Sequence, residues 1–258
     1  MDATDIDPVA GGFVLVTGGS RGIGAATARL VAEQGYDVCI SYRDRADAAV
    51  AVVADIIEAT GMRALAIRAD VSKERDVLHL FATAHAELGR LMGLVNNAGV
   101  LDRQSTVADL QTERIQRILA VNVLGAFLCA REAVRTMSTA DGGLGGAIVN
   151  VSSRAALLGG AGEYVDYAAS KAAVDALTVG LSREVANIGI RVNAVRPGLI
   201  ETEIHASGGE AGRVGRLGPT VPMGRGGTAQ EVAEAIVWLL SDKASYVTGS
   251  FLEVSGGR

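Results

Sequence analysis

Short apolar runs alternate with longer amphipathic segments along nearly the whole chain. Seven of these runs predict β-strands: Phe13–Thr17, Asp37–Tyr42, Arg63–Arg68, Leu91–Asn96, Ala147–Ser152, Ile190–Val195 and Ser250–Val254. Most of the runs are continuously apolar rather than alternating, which is typical of strands that are covered on both faces. The pattern therefore predicts a buried sheet.

The segments between these runs carry apolar residues at helical spacing. They predict six helices: Ala25–Gln34, Ala46–Thr60, Glu74–Leu88, Thr112–Met137, Tyr167–Asn187 and Ala229–Leu240. Repeated strand–helix units predict an α/β fold with a doubly wound parallel sheet and helices on both faces. No internal repeat or linker divides the chain, and we read the glycine-rich stretch Asp141–Gly146 as a surface loop. We therefore expect a single domain over residues 1–258.

One segment, Glu203–Gly227, breaks this alternation. It contains many glycines and two prolines, and its apolar residues have no clear period. A long irregular segment inside a compact domain is usually a lid or a binding loop. We expect this segment to close over a site and to be weakly ordered without a ligand.

Composition narrows the range of functions. The chain has 258 residues, of which 49% are hydrophobic and 21% charged, so it can fold without a disulfide or a metal. The net charge of -5 favours neither nucleic acid nor an anionic membrane as a partner. The two cysteines, Cys39 and Cys129, lie in apolar stretches, and no cysteine or histidine cluster has metal-ligand spacing. Residues 1–11 are acidic and no apolar run could cross a bilayer, so we expect no signal peptide and a cytoplasmic location.

The turn between the first strand and the first helix is rich in glycine. It reads Thr17-Gly18-Gly19-Ser20-Arg21-Gly22-Ile23-Gly24. Such a turn lets the backbone approach a pyrophosphate while the helix N-terminus offers unpaired N–H groups. Its glycine spacing differs from the standard dinucleotide fingerprint, so a merely tight turn is the alternative. Its place at the first strand–helix junction favours dinucleotide binding on a Rossmann-type sheet.

The end of the second strand bears on which nicotinamide cofactor binds. An acidic residue there would hold the ribose 2′-hydroxyl of NAD, but the strand ends in Tyr42-Arg43. Arg43, together with Arg21 of the glycine-rich turn, would instead fit a 2′-phosphate. The sequence therefore favours NADP(H), with NAD(H) as the alternative because Asp44 could pair with either arginine. Both arginines could also be ordinary surface residues.

Tyr167 and Lys171 open the fifth predicted helix. Residues four apart share one helical face, so the two side chains point the same way, whereas Tyr164 has Ala168 at that offset. A tyrosine–lysine pair at this spacing is by itself a weak pattern. Its position within the predicted sheet makes it a candidate acid/base site.

Together these motifs resemble the classical short-chain dehydrogenase/reductase family over nearly the whole chain. The resemblance rests on Thr17–Gly24, Asp70 after the third strand, Asn96-Asn97-Ala98-Gly99 after the fourth, Asn122, Ser152-Ser153, Tyr167 with Lys171, and Pro197-Gly198. It implies a catalytic group of Asn122, Ser153, Tyr167 and Lys171. It also implies cofactor contacts from Gly18, Ser20, Arg21, Gly22, Ile23, Gly24, Arg43, Asp70, Val71, Asn96, Ala98, Gly99, Tyr167, Lys171, Pro197, Gly198, Ile200 and Thr202.

The resemblance also implies individual roles. Asp70 and the backbone of Val71 would meet the adenine, and Asn96, Ala98 and Gly99 would form the floor under its ribose or brace the sheet. Asn122 would hold a water that links Lys171 to solvent, and Ser153 would donate a hydrogen bond to the substrate oxygen. Residues 197–202 would hold the nicotinamide carboxamide and a nearby phosphate.

The serine assignment departs from the family in one respect. Ser153 precedes Tyr167 by one residue more than is usual, and Ser152 by two. We assign Ser153 to the substrate and expect Ser152 to pack or to make a turn hydrogen bond. Of the three histidines, only His205 lies in the lid, where it either contacts substrate or has no special role.

These residues suit hydride transfer between a nicotinamide and a carbonyl or secondary alcohol, in which Tyr167 moves the proton. Lys171 is expected to lower the tyrosine pKa from its usual value of about 10. The resemblance is nearest to 3-oxoacyl reductases, with an NAD-dependent sugar or polyol dehydrogenase as the alternative. A nucleotide-sensing regulator that has lost catalysis ranks lower, because Tyr167 and Lys171 are both present. The resemblance further implies a homotetramer, and the sequence does not identify the substrate.

Overall fold

The computed structural model describes residues 12–258, so the acidic start at 1–11, where we expect no signal peptide, lies outside the described residues. The strands are β1 (Gly12–Val16), β2 (Asp37–Tyr42), β3 (Ala64–Arg68), β4 (Arg90–Asn96), β5 (Gly146–Val151), β6 (Ile190–Pro197) and β7 (Phe251–Val254). Each of the seven apolar runs forms one of these strands.

The strands form one sheet in the order β3-β2-β1-β4-β5-β6-β7, and every neighbouring pair is parallel. This confirms the predicted doubly wound parallel sheet. The winding direction reverses between β1 and β4. In open sheets of this kind the carboxyl ends of the strands form a crevice at that reversal, and ligands bind there.

The helices are α1 (Gly22–Glu33), α2 (Ala46–Thr60), α3 (Glu74–Leu88), α4 (Thr112–Leu119), α5 (Gly125–Met137), α6 (Ala155–Leu158), α7 (Val165–Val185), α8 (Ile204–Ser207), α9 (Arg213–Leu217) and α10 (Ala229–Leu240). The predicted helix Thr112–Met137 forms, with a π-helical turn, Ala120–Leu124, between α4 and α5. Such turns are frequent at functional sites, and this one carries Asn122.

Two apolar cores cover the two faces of the sheet. Alternate residues of β1 point to opposite faces, so Phe13 and Leu15 join one core while Val14 and Val16 join the other. Cys39 and Cys129 are buried and unpaired, and burial raises the pKa of each thiol to about 12. Within the described part of the chain, no helix is both long and apolar enough to span a membrane.

The predicted lid has more structure than its composition suggests, since it contains α8 and α9. Its main anchor is polar. Arg213 is buried, and its guanidinium pairs with Glu163 at 2.5 Å and with Glu210 at 2.9 Å. No pattern in the sequence indicates that Glu163, from the loop before α7, holds the lid in place.

Candidate active site

A cleft of about 360 Å³ runs along the carboxyl ends of the strands, from Arg43 after β2 to Arg213 in the lid. Most of the predicted site residues line it: Gly18, Ser20, Arg21, Gly22, Ile23, Arg43, Asp70, Val71, Ala98, Gly99, Ser153, Tyr167, Lys171, Pro197, Gly198, Ile200 and Thr202. Gly24, Asn96 and Asn122 lie behind its walls. The fold thus brings residues from distant parts of the chain to one surface.

The glycine-rich turn has the conformation that its sequence suggests. Gly18 and Gly22 have φ of 64° and 53°, a region that L side chains rarely adopt. A Cβ at Gly24 would lie 2.5 Å from the Gly18 carbonyl oxygen, so Gly24 allows α1 to pack closely against the turn. The first N–H groups of α1 consequently face the cleft. An exposed carboxylate, that of Glu203, also lies here, 3.8 Å from where a Gly22 Cβ would be.

The two adjacent asparagines after β4 have different roles. The Asn96 amide donates to Asn150 Oδ1 at 3.0 Å and to the Ala126 carbonyl at 3.2 Å, so it braces the interior of the sheet. The Asn97 amide instead donates to the carbonyls of Thr17 and Gly18, at 2.8 and 3.0 Å. Asn97 lines the cleft, and our sequence reasoning missed it. The alternation of side chains along a strand was the available signal, since only one of two neighbours can face the site.

Three arginines surround the end of the cleft near β2. Among residues 12–258, no carboxylate lies within salt-bridge distance of Arg21, whereas Arg43 pairs with Asp44 at 2.6 Å. Arg45 pairs with Asp47. The Arg43 and Asp44 side chains are about half exposed, and exposed pairs of this kind contribute little to stability. Arg43 can therefore exchange Asp44 for a bound anion at small cost.

The two candidate serines, Ser152 and Ser153, have different surroundings. The Ser153 hydroxyl lines the cleft near the Tyr167 phenol and acts to lower its pKa, and it accepts the Ala155 N–H at 3.1 Å, which fixes its orientation. The Ser152 hydroxyl is buried and donates to the backbone carbonyl of Lys171 at 3.3 Å. Ser153 thus faces the reacting group, and Ser152 ties β5 to α7.

The Tyr167 pKa differs from the expectation drawn from the sequence. Burial raises the pKa of Tyr167 to about 12, and the nearby Ser153 hydroxyl offsets this only in part. Desolvation lowers the pKa of Lys171 to about 8. The Lys171 ammonium lies 5.8 Å from the Tyr167 ring centroid and donates to the Val151 carbonyl at 2.7 Å. Because the Lys171 ammonium bonds to the backbone rather than to the phenol oxygen, burial has the larger effect on the Tyr167 pKa.

Asn122 lies beside Lys171, and its side-chain amide already forms hydrogen bonds within the protein. Its Oδ1 accepts the Val100 N–H at 2.8 Å, and its Nδ2 donates to the Val100 carbonyl and to Ser170 Oγ, each at 3.0 Å. A Cβ at Gly99 would lie 3.5 Å from both Asn122 Oδ1 and Lys171 Nζ. Asn122 therefore fixes the wall beside Lys171, and its part in a water relay stays a prediction.

A buried ion pair that sequence reasoning missed positions the start of α7. Arg114 on α4 contacts both oxygens of Asp166, at 2.7 and 3.1 Å, and both side chains are almost fully buried. Asp166 Oδ1 also accepts the Tyr167 N–H at 2.9 Å. No sequence pattern joins residues 52 positions apart, so this contact could be found only in the folded chain.

Comparisons with known proteins agree with this architecture. A sequence profile described as Enoyl-(Acyl carrier protein) reductase matches residues 18–258. The uncharacterized oxidoreductase YgfF of Escherichia coli is 59% identical over 246 residues, which cover 95% of this chain and 99% of that protein. A short chain dehydrogenase from Burkholderia cenocepacia, solved in complex with NADP, has a TM-score of 0.86 and 37% identity, covering 95% of this chain and 96% of that one.

The chain belongs to the short-chain dehydrogenase/reductase family. As a short-chain dehydrogenase/reductase it is an oxidoreductase, which confirms the resemblance drawn from its motifs. Another family member, 3-ketoacyl-(acyl-carrier-protein) reductase from Brucella melitensis complexed with NADH, has a TM-score of 0.88 and 34% identity, covering 96% of this chain and 98% of that one.

Proposed function

We propose that this protein transfers a hydride between NADP(H) and a carbonyl or secondary alcohol, as a 3-oxoacyl reductase does. The observation that carries the proposal is that Ser153, Tyr167 and Lys171 line the same cleft as the glycine-rich turn. A carbonyl oxygen placed between the Ser153 and Tyr167 hydroxyls would meet two hydrogen-bond donors. We treat residues 1–258 as one catalytic domain, and the two buried, unpaired thiols support a cytoplasmic location.

The residues of the cleft fit a nicotinamide dinucleotide. The space above Gly18 and Gly22 and the N-terminus of α1 would hold its pyrophosphate. Arg21 and Arg43 would hold a 2′-phosphate, and Glu203, being exposed, can rotate away. The two solved relatives bind NADP and NADH, which supports NADP(H) with NAD(H) as the alternative.

Tyr167, Ser153 and Lys171 would together transfer the proton that accompanies hydride transfer. A bound nicotinamide supplies or accepts the hydride. Because its pKa is raised, Tyr167 is protonated at neutral pH and can donate that proton to the oxygen of a carbonyl undergoing reduction. Ser153 would orient and polarise this oxygen. Lys171, largely in its ammonium form at pH 7, would stabilise the phenolate left behind.

The two alternatives differ from the proposal in different ways. A sensor without catalysis has no need for Ser153 to be oriented toward Tyr167 in a cleft beside Lys171. An NAD-dependent sugar or polyol dehydrogenase would use the same catalytic residues, so it differs only in cofactor and substrate. Substrate class is therefore the question that an activity screen must answer.

The screen measures the absorbance of reduced nicotinamide with a panel of 3-oxoacyl thioesters, cyclic ketones, sugars and polyols, each with both cofactors. We expect turnover of at least one carbonyl with NADPH. Ser153→Ala should lower that rate by about 100-fold, whereas Ser152→Ala, which loses only a weak backbone contact, should change it little. An inactive panel, or equal losses in the two serine variants, would contradict the proposal.

A further inference from the structure

The Tyr164 hydroxyl and Nδ1 of His205 are buried polar atoms at the lid end of the cleft. Neither has a hydrogen-bond partner within residues 12–258. Tyr164 is only 6% exposed, and both residues line the cleft together with Tyr167. Buried polar groups are nearly always hydrogen-bonded, so two unpaired atoms beside the reacting groups indicate a ligand that binds there.

The two atoms belong to the same corner of the cleft. The Tyr164 hydroxyl packs against the end of α8, 3.3 Å from where a Cβ on Gly208 would lie, and α8 carries His205. Arg213 connects them, because its guanidinium lies 5.2 Å from the Tyr164 ring centroid and its charge acts on His205. Both atoms therefore belong to one polar corner at the lid end of the cleft.

The hydrogen-bonding character of His205 follows from its other ring nitrogen. Nε2 lies 3.0 Å from the Ile200 carbonyl oxygen, which can only accept, so Nε2 carries the proton. Desolvation lowers the pKa of His205, so the ring is neutral at physiological pH and Nδ1 is an acceptor. The Tyr164 hydroxyl can donate. An acceptor beside a donor is the arrangement that a hydroxyl group satisfies completely.

Charge argues against an anionic group in this corner. The guanidinium of Arg213 already bonds to two carboxylates, those of Glu163 and Glu210. Glu210 in turn pairs with Arg216. Because the positive charge of Arg213 is compensated within the protein, a carboxylate or phosphate would gain little from it. The group that binds here is accordingly a neutral oxygen function.

We propose that Tyr164 and His205 form a specificity site for a second hydroxyl on the substrate, distinct from the oxygen that Ser153 and Tyr167 hold. The substrates then include hydroxylated ketones and the corresponding diols or polyols. This inference rests on the proposed function, because Tyr167 defines where the reacting oxygen lies. The substrate hydroxyl would donate to His205 Nδ1 and accept from the Tyr164 phenol.

The test compares kcat/KM for cyclohexanone and for its 2-, 3- and 4-hydroxy derivatives, with NADPH and the whole chain. Butan-2-one and its hydroxy derivatives form an open-chain series. We expect the wild-type protein to prefer at least one hydroxyketone over its parent ketone by about 10- to 100-fold. Tyr164→Phe should bring this ratio close to one while leaving the parent ketone unaffected. No preference in either series, or a preference that survives Tyr164→Phe, would overturn the inference.

A second variant and a control separate recognition from folding. His205→Phe keeps a ring of similar size but removes the Nδ1 acceptor, so it should also abolish the preference. It decides the outcome if Tyr164→Phe does not fold, as judged by circular dichroism and thermal melting. Tyr36→Phe makes the same chemical change at a tyrosine that does not line the cleft, and it should keep the wild-type ratio.

Calorimetric binding of the same compounds to the protein with NADP⁺ distinguishes this inference from the proposed function. If no ketone is turned over but a hydroxyketone binds and Tyr164→Phe removes that binding, the hydroxyl site stands and the proposed function falls. If the parent ketones and their hydroxy derivatives are reduced equally well, the proposed function stands and the hydroxyl site falls.

Discussion

At the scale of single residues, the folded environment has a large effect on the ionisation of Tyr167, because burial raises the pKa of its phenol. The protein without cofactor should show no phenolate from Tyr167 between about pH 9 and 11, because burial raises its pKa to about 12. The measurement is the ultraviolet difference titration of wild type against Tyr167→Phe. A Tyr167 signal centred below pH 10 would contradict this, since Lys171 would then outweigh burial.

The raised pKa also fixes the sign of the pH dependence of turnover. Carbonyl reduction needs the protonated phenol, which is present throughout the neutral range. Alcohol oxidation needs the phenolate, so its rate should rise with pH. Above about pH 8 the Lys171 ammonium loses its proton in the protein without cofactor, and stabilisation of the phenolate weakens. The rate of alcohol oxidation at alkaline pH therefore depends on how far a bound cofactor shifts the pKa values of Tyr167 and Lys171.

Cofactor preference also rests on individual side chains. Arg43→Asp should weaken NADP(H) binding by about tenfold or more while leaving NAD(H) binding much less affected, because it removes a charge-assisted contact to the 2′-phosphate. Asp44→Asn should strengthen NADP(H) binding, since it frees Arg43 from its 2.6 Å ion pair with Asp44. Fluorescence titrations with both cofactors measure these changes. Tighter NAD than NADP binding by wild type would refute the preference and make Asp44 the ribose ligand to test.

At the scale of elements, the sequence predicted the strands and most helices closely because their apolar periodicity follows from burial. It did not predict the π turn at Ala120–Leu124, since this segment contains no glycine or proline that would mark a change of helix type. The turn is accompanied by three hydrogen bonds of Asn122, with partners from distant parts of the chain. The identity of Asn97 as the cleft-facing asparagine, and the Arg114–Asp166 pair, likewise depend on register and tertiary contact.

The structure shows how the lid, Glu203–Gly227, is held against the rest of the protein. Few large apolar side chains hold it, and its buried anchor is Arg213 with Glu163. Without ligand, the amides of 204–217 should exchange hydrogen much faster than those of β1 and β4, and NADP(H) should slow them. Arg213→Gln should accelerate exchange further. Hydrogen exchange as slow in the lid as in the central strands would show that no opening occurs.

At the scale of the whole molecule, several apolar side chains remain on the surface of one chain. Leu124 and Phe127, at the start of α5, are each 48% exposed, and Trp238 on α10 is 41% exposed. Between residues 169 and 180 the exposed positions of α7 are all small, which would allow another helix to approach closely: Ala169, Ala172, Ala176 and Gly180. These surfaces support the expected homotetramer with twofold interfaces.

Light scattering at micromolar concentration should give about four times the chain mass of 26.5 kDa. Phe127→Asp should break the assembly into smaller species by placing a charge in an apolar interface. Val50→Asp is the matched control, because Val50 is 62% exposed on α2, away from these surfaces. A wild-type monomer would refute the tetramer, and dissociation by Val50→Asp alone would assign the interface elsewhere.

The measurement that tests the central claim most directly is turnover by Tyr167→Phe on a substrate identified in the screen. This change keeps the ring and its packing but removes the proton that the account assigns to the reaction. We predict a loss of about 100-fold or more in turnover, with unchanged NADP(H) affinity and melting temperature, while Tyr36→Phe stays at the wild-type rate. Near-normal turnover by a folded, cofactor-binding Tyr167→Phe protein would contradict the account.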